Sequence, residues 1–307
     1  MHSDAVYQHV VVGIDGSSEG IAAAIAGWRI AQGVGARYSL IHATRDYLVK
    51  AGRAISAAAA SVSSSAGPVP DTAIVEATRA WIASSLADLL PPDVKPAIHV
   101  ERGRAGTVIG RFAAEAGADL ILVGGKHHSA IERWLGGSTA YFLAGTAAVP
   151  VLVTRNLPEQ PGRILVSSDL SEHAPTVLNA AERLATALHA AVRVVHVVEP
   201  VEGASGTPDT ESNQDRLRNA RAILGSSLIP KHAHAGTEHH VVLGDPWTMI
   251  REEISRWDAD ILVLGSHGDG FQHRHLLGRV TEAFLRDLPT SVLIVPLGDV
   301  AKLRTRD

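Results

Sequence analysis

The sequence contains no cysteine and no long run of apolar residues. Without cysteine there can be no disulfide framework, no zinc–thiolate centre and no thiol nucleophile. The absence fits a reducing compartment, and we expect a cytoplasmic protein. No stretch reaches the roughly 18 apolar residues of a membrane-spanning helix, and the first residues do not resemble a secretory signal. We therefore expect a soluble protein with no membrane partner.

Charge of one sign is not in excess either, because 28 basic residues face 32 acidic ones, for a formal net charge of −4. Nucleic-acid-binding proteins usually carry a basic surface, so we expect no nucleic-acid partner. The apolar share of 46% and the charged share of 20% are ordinary for a globular protein. A length of 307 residues is about twice a common domain length, which predicts two domains.

One sequence unit occurs twice in the chain. Three pairs of segments align: 9–20 with 163–174, 38–44 with 192–198, and 118–125 with 259–266. The offset falls from 154 in the first two pairs to 141 in the third, so the first half carries thirteen extra residues. We place them in the alanine-, serine- and proline-rich stretch 51–70 and predict a surface excursion there, with a partner-binding role as the alternative.

Each half alternates short apolar segments with segments of helical period, which predicts a parallel sheet covered by helices on both faces. The predicted strands are 9–14, 37–43, 96–101, 119–124 and 150–154, then 163–168, 191–198, 237–243, 260–265 and 291–295. The predicted helices are 18–34, 71–89, 105–117 and 131–145, then 172–189, 209–228, 246–257 and 276–287. A linker with two prolines and a glycine at 156–162 predicts two domains, 1–156 and 157–307.

Glycines follow the fourth predicted strand of each half. In the second half these are Gly265 and Gly268, and Gly278 opens the next helix. Open parallel sheets bind ligands beyond the carboxyl ends of their strands. Glycine there allows a positive φ and a close backbone approach, and a helix N-terminus favours phosphate. From the residues alone, a phosphate-binding loop and ordinary turn glycines remain equally open.

The two halves resemble universal stress protein domains in tandem over nearly the whole chain. ATP-binding members of that family carry G-x-x-G, nine residues, then G-[S/T] after the fourth strand. The corresponding residues are Gly265, Ser266, His267, Gly268, Gly278, Arg279, Val280 and Thr281 in the second half, and Gly124, Gly125, Lys126, His127, Gly137, Ser138 and Thr139 in the first. The resemblance implies two Rossmann-like (adenine nucleotide alpha hydrolase-like) α/β domains, each with a five-stranded parallel sheet flanked by helices.

Both glycine motifs depart from the family pattern. His127 replaces the second glycine of the first half, and a positive φ at a non-glycine residue costs about 1–2 kcal/mol. Arg279 replaces the hydroxyl residue of the second half, which loses a neutral donor but adds a cation that could bind phosphate or fill the pocket. The second half is therefore the stronger candidate for binding.

The resemblance also implies where the adenosine end of a nucleotide lies. The positions concerned are Ile14, Asp15 and Ala43 in the first half and Ser168, Asp169 and Val197 in the second. The two aspartates are expected to meet adenosine hydroxyl or amino groups, and a purely structural turn role is the alternative. Ser17 and Ser171 are predicted to cap the helices that follow.

Catalysis and metal binding have little support in the sequence. Sixteen histidines are present, but their clusters lack carboxylate or cysteine partners at a recognisable spacing, so we expect no protein-ligated metal. His42 and His196 lie in apolar strands and are expected to be core histidines. No G-x-x-x-x-G-K-[S/T] motif occurs, and we expect no catalytic residues and at most slow ATP hydrolysis.

Three hypotheses of function follow from the resemblance. The first is an ATP-binding regulatory stress protein, with or without Mg²⁺, and the second is a scaffold of the same fold with degenerate sites. The third and weakest hypothesis is an enzyme that hydrolyses nucleotides. Segments 151–153 and 292–295 could pair inside one chain, giving a pseudo-dimer that covers sheet edges, and a further homodimer is left open.

Overall fold

The computed structural model describes residues 6–44, 71–91, 97–125, 139–202, 209–229, 237–268 and 277–297. The predicted excursion at 51–70 lies outside these residues, as do three first-half site candidates, His127, Gly137 and Ser138. No helix in the described part of the chain is long and apolar enough to cross a membrane.

Ten strands and eight α-helices alternate along the described chain. The strands are β1 His9–Gly13, β2 Arg37–Thr44, β3 Ala97–Arg102, β4 Leu120–Gly124, β5 Val151–Thr154, β6 Arg163–Ser167, β7 Ala191–Val198, β8 Glu238–Leu243, β9 Ile261–Gly265 and β10 Ser291–Val295. The helices are α1 Ser18–Val34, α2 Asp71–Leu86, α3 Ala105–Glu115, α4 Thr139–Thr146, α5 Ala174–Leu188, α6 Thr210–Ile223, α7 Pro246–Trp257 and α8 Arg279–Asp287. A π-helical turn, Leu224–Leu228, extends α6.

All ten strands belong to one sheet, in the order β3-β2-β1-β4-β5-β10-β9-β6-β7-β8. Strands within each half are parallel. The halves meet where β5 pairs antiparallel with β10, with Leu152 opposite Leu293. Two five-stranded parallel sheets are thereby joined into a single surface, and both last strands are covered by this pairing.

The sheet divides the interior into two apolar layers because successive side chains of a strand point to opposite faces. On one face, Val10 and Val12 of β1 pack with α1, α2, α5 and α6. On the other, Val11 packs with α3, α4, α7 and α8. Because these strands are buried on both faces, apolar and polar residues do not alternate along them. Their sequences are therefore nearly continuous apolar runs. Burying each such side chain contributes about 1.5–3 kcal/mol.

Strand order reverses once in each half. From β1 the chain first adds β2 and β3 on one side and then β4 and β5 on the other, and β6 stands in the same relation to β7, β8, β9 and β10. A crevice is expected between β1 and β4 and between β6 and β9, beyond their carboxyl ends. These two switch points are where the sequence motifs lie.

The start of the first helix differs between the halves. Ser17 caps α1 as predicted, its Oγ accepting the Gly20 N–H at 3.2 Å. Ser171 does not cap α5, so that prediction was wrong. Helix α5 begins only at Ala174, its N-cap is His173, and the Ser171 Oγ accepts the His173 N–H at 3.2 Å within the preceding turn.

Candidate functional site

A cavity of about 660 Å³ opens at the second switch point, beyond the ends of β6, β7 and β9. This volume lies in the range of small-ligand sites. The floor consists of the strand ends, one wall is helix α6, and the opposite wall is the start of α8. All the second-half candidates line it: Ser168, Asp169, Val197, Gly265, His267, Gly268, Gly278, Arg279, Val280 and Thr281.

The turn after β6 holds the first candidates in place. The Ser168 carbonyl lies 2.8 Å from Nδ1 of His196, which stands on β7. Asp169 is exposed, and its Oδ1 accepts the Ser171 N–H at 3.0 Å. Leu170 adopts a left-handed conformation, with φ 60°. The turn is therefore locally fixed, and it presents the Asp169 carboxylate to the cavity.

The loop after β9 passes close to that carboxylate. A Cβ at Gly268 would lie 3.4 Å from Oδ2 of Asp169, so the two motifs of the second half meet in space. At Gly278 a Cβ would lie 3.1 Å from Cα of His267, and the Gly278 N–H donates to the Ser266 carbonyl at 2.9 Å. These contacts bring the two ends of the glycine motif against each other.

Neighbouring atoms lie so close to these three positions that a side chain would not fit easily. This explains the glycines, and their backbone conformation does not. Gly265, Gly268 and Gly278 are not among the residues of positive φ, and Gly278 has φ −64°. Of the two properties that glycine allows at these positions, the structure therefore uses close approach and not a positive φ. A Cβ at Gly265 would lie 2.6 Å from Cδ1 of Leu297, and the Thr281 hydroxyl donates to the Gly265 carbonyl at 2.7 Å.

The first turn of α8 faces the cavity with its backbone N–H groups. Gly278 is the N-cap and makes no side-chain cap hydrogen bond. The opening N–H groups of a helix have no intrahelical acceptor and carry the positive end of the helix dipole. Together with the glycine loop, they form a surface suited to an anion such as phosphate.

Arg279 lies at the mouth of the cavity and does not plug it. Its side chain is 77% exposed, and its guanidinium lies 3.2 Å from Oε2 of Glu199, which follows β7. Arg216 of α6 donates to the Glu199 carbonyl at 2.7 Å. Two cations and one carboxylate therefore surround the opening.

His267 adds a group whose protonation depends on its surroundings. Burial lowers the pKa of its imidazole below the ordinary 6.5, nearby His173 lowers it further, and Asp169 raises it. Its Nδ1 lies 3.0 Å from the Ser266 hydroxyl. The ring is therefore neutral at neutral pH.

At the first switch point an indole ring packs against the turn after β1. Gly16 follows Asp15 with φ 74°, and a Cβ there would overlap the ring of Trp81 from helix α2. The same ring meets His42 edge-on, with centroids 6.2 Å apart. Asp15 is engaged locally, since its Oδ1 accepts the Ser17 N–H at 3.0 Å and the Ser17 hydroxyl at 2.5 Å.

Helix α1 contacts the end of β4 at the same switch point. A Cβ at Gly124 would lie 2.5 Å from the carbonyl carbon of Glu19 and 2.8 Å from the Gly20 nitrogen, so the first turn of α1 rests on the end of β4. Ile14 is buried, and its carbonyl lies 2.8 Å from Nδ1 of His42. Ala43 is half-buried at the end of β2, and Thr139 begins α4.

Sequence reasoning missed several residues that line the second cavity. Among them are Glu199, Arg216, Asn219 and Ile223. Three of them belong to α6, and the repeat carries no signal for them because the chain between β2 and β3 differs in length and composition from the chain between β7 and β8. For the three residues of α6, the only available signal was the helical period, which places them on the helix face toward the strand ends.

Metal ligands are not clustered within the described residues, where no group of three histidine, aspartate or glutamate side chains is placed to hold an ion. His42 and His196 both direct Nδ1 to a backbone carbonyl at 2.8 Å, and His42 is 5% exposed. Both contacts match the expected role of a satisfied histidine within the sheet.

These observations define a tandem, doubly wound α/β protein with a ligand-sized crevice at its second switch point. The model of the universal stress protein family matches residues 6–155 and again 161–296. The chain belongs to the universal stress protein family.

Individual relatives agree with this assignment. A universal stress protein A homolog of Haemophilus influenzae is 29% identical over 139 residues, which is 44% of this chain and 96% of the relative. A universal stress protein of Synechocystis sp. is 30% identical over 151 residues, 44% of this chain and 97% of the relative. A solved putative universal stress protein of Pseudomonas aeruginosa covers 98% of both chains with 17% identity and a TM-score of 0.67, which supports the tandem fold alone.

Proposed function

We infer that the protein is a regulatory stress protein that binds ATP or a related adenine nucleotide in the second-half cavity. One observation carries the proposal: ten residues selected by motif and position line a single cavity of ligand size. The proposal places adenosine against Ser168, Asp169 and Val197. The phosphates lie along Gly268 and Gly278 toward the first turn of α8, with or without Mg²⁺.

The first half serves as a scaffold in this proposal and binds no nucleotide. The contacts of Trp81 with Gly16 and of α1 with Gly124 support this role, since both occupy space at the switch point. Nucleotide in the second half would bias the conformation or association of the whole chain, which we treat as a pseudo-dimer joined through β5 and β10. We assign no catalytic residues and expect no more than slow hydrolysis of ATP.

Calorimetric titration tests the proposal. ATP with Mg²⁺ added to the full chain should bind with a stoichiometry of one per chain. The same titration with the nucleotide replaced by inorganic phosphate separates nucleotide recognition from simple anion binding. Absence of heat at high micromolar protein, together with no thermal protection by ATP, would overturn the proposal.

A further inference from the structure

Two oppositely charged side chains face each other across the opening of the second-half cavity. Glu199 extends from the segment after β7, next to the wall where Val197 lies, and Arg279 is the first residue of α8 on the opposite wall. The distance from the guanidinium to Oε2 is 3.2 Å and to Oε1 is 3.4 Å. The pair therefore joins the proposed adenosine wall to the proposed phosphate wall.

The ion pair of Glu199 with Arg279 determines how much net positive charge lies next to a bound ligand. Arg279 lies within one residue of the glycine that opens α8, where phosphate would bind, but its charge is balanced by Glu199. Asp245, just before α7, also lies close enough that Arg279 lowers the pKa of its carboxyl, after the larger effects of its hydrogen bonds to Thr248. Two carboxylates therefore compete with any phosphate for this cation.

We propose that Glu199 is a specificity-determining residue that sets which phosphate chain length the cavity accepts. A bound triphosphate brings more negative charge near the carboxylate than a monophosphate does, and must draw Arg279 away from it. A nucleoside without phosphate leaves the ion pair intact. This inference rests on the proposed nucleotide function and adds a charge preference to it: Glu199 penalises ATP more than AMP, and AMP more than adenosine.

Geometry supports a direct effect of Glu199 on the ligand. Arg216 holds the Glu199 backbone through a 2.7 Å hydrogen bond to its carbonyl oxygen, which fixes the residue at the rim. Arg216 itself lines the cavity, so a phosphate that displaces the Glu199 carboxylate meets two guanidinium groups. Both glutamate and arginine are exposed, and water screens their attraction, so a strongly charged ligand can break it.

The experiment compares Glu199→Gln with Glu202→Gln, which removes the same charge from a neighbouring exposed residue that does not line the cavity. Affinities for ATP, AMP and adenosine are measured by calorimetry at low and high salt, and circular dichroism verifies folding. We expect Glu199→Gln to increase the affinity for ATP about threefold to tenfold. The affinity for AMP should increase by a smaller factor, and that for adenosine by less than twofold. Added salt should reduce the gain, and Glu202→Gln should change each affinity less than twofold.

Two results overturn the inference in distinguishable ways. Equal changes for ATP and adenosine in Glu199→Gln, or equal effects of the two variants, remove the role of Glu199 but leave nucleotide binding in place. No binding of ATP, AMP or adenosine by the natural chain or by either folded variant removes the proposed function and this inference with it.

Discussion

The two switch points follow related motifs but differ in the contacts that the described residues make there. In the second half a cavity of about 660 Å³ separates α6 from the start of α8. In the first half the Trp81 ring covers Gly16, and the first turn of α1 rests on Gly124. Similar glycine spacing is therefore accompanied by different packing of the flanking helices at the two strand ends.

The start of the first helix is one physical source of the difference. Gly20 in α1 aligns with Ala174 in α5 at the offset of 154. A Cβ at Gly20 would lie 2.7 Å from Oδ1 of Asp15, so the close approach of α1 requires glycine there. Alanine at the aligned position cannot make that approach, and α5 begins at Ala174, two positions later than α1 in the alignment.

The largest predicted effect concerns the glycines at the ends of β4 and β9. Gly124→Ala should lower the free energy of unfolding by about 2–3 kcal/mol, because the new Cβ meets backbone of α1. Gly265→Ala should cost about 1 kcal/mol or less, because its new neighbour is the end of the Leu297 side chain. Urea unfolding of both variants measures the difference. Equal losses would contradict the claim that the first turn of α1 packs directly on Gly124.

A second prediction compares the aspartates that follow β1 and β6. Asp169→Ala should weaken ATP binding about tenfold to hundredfold, which corresponds to loss of a hydrogen bond from a charged group. Asp15→Ala is the matched control and should leave ATP affinity unchanged, since the Asp15 carboxylate accepts hydrogen bonds from Ser17 and the proposed site lies in the second half. Calorimetry with ATP distinguishes them. A loss of binding in Asp15→Ala, with none in Asp169→Ala, would reverse the roles of the two halves.

The smallest predicted effect is a dependence on pH from His267. Burial depresses its pKa, so on acidification the unfolded chain takes up this proton first, and stability falls as the pH drops below about 6.5. Protonation of the same ring should favour a polyphosphate, so ATP should raise its pKa. NMR titration of the imidazole with and without ATP measures this shift. His267→Gln should remove part of the acid-induced loss of stability, and an unchanged pH profile would contradict the assignment.

Much of the fold was predictable from the sequence because buried parallel strands are continuous apolar runs. All ten predicted strands are present, each of their ends agrees within one residue, and β7 and β10 have the predicted bounds. The start of α5 and the role of Ser171 were wrong, since both depend on how closely a helix approaches the sheet. Glycine spacing alone could not decide between a positive φ and a close approach, and the structure shows that Gly265 and Gly278 make close contacts without a positive φ.

The candidate site was predictable only where the two halves repeat each other. Asp169 and Gly268 could be selected from their positions relative to strand ends, and the structure places them side by side. Two contacts were not predictable: that of Trp81 with Gly16, and the ion pair of Glu199 with Arg279. Both join segments whose spacing in the sequence differs between the halves. Such contacts follow from the tertiary packing of α2 and α8.

Hydrogen–deuterium exchange in the presence of saturating ATP tests most directly whether the second switch point alone binds the nucleotide. We predict slower exchange at the backbone amides of Gly265–Gly268 and of the first turn of α8, and unchanged exchange at the ends of β1 and β4. Slower exchange at the first switch point, or no change in exchange at either switch point, would contradict this account.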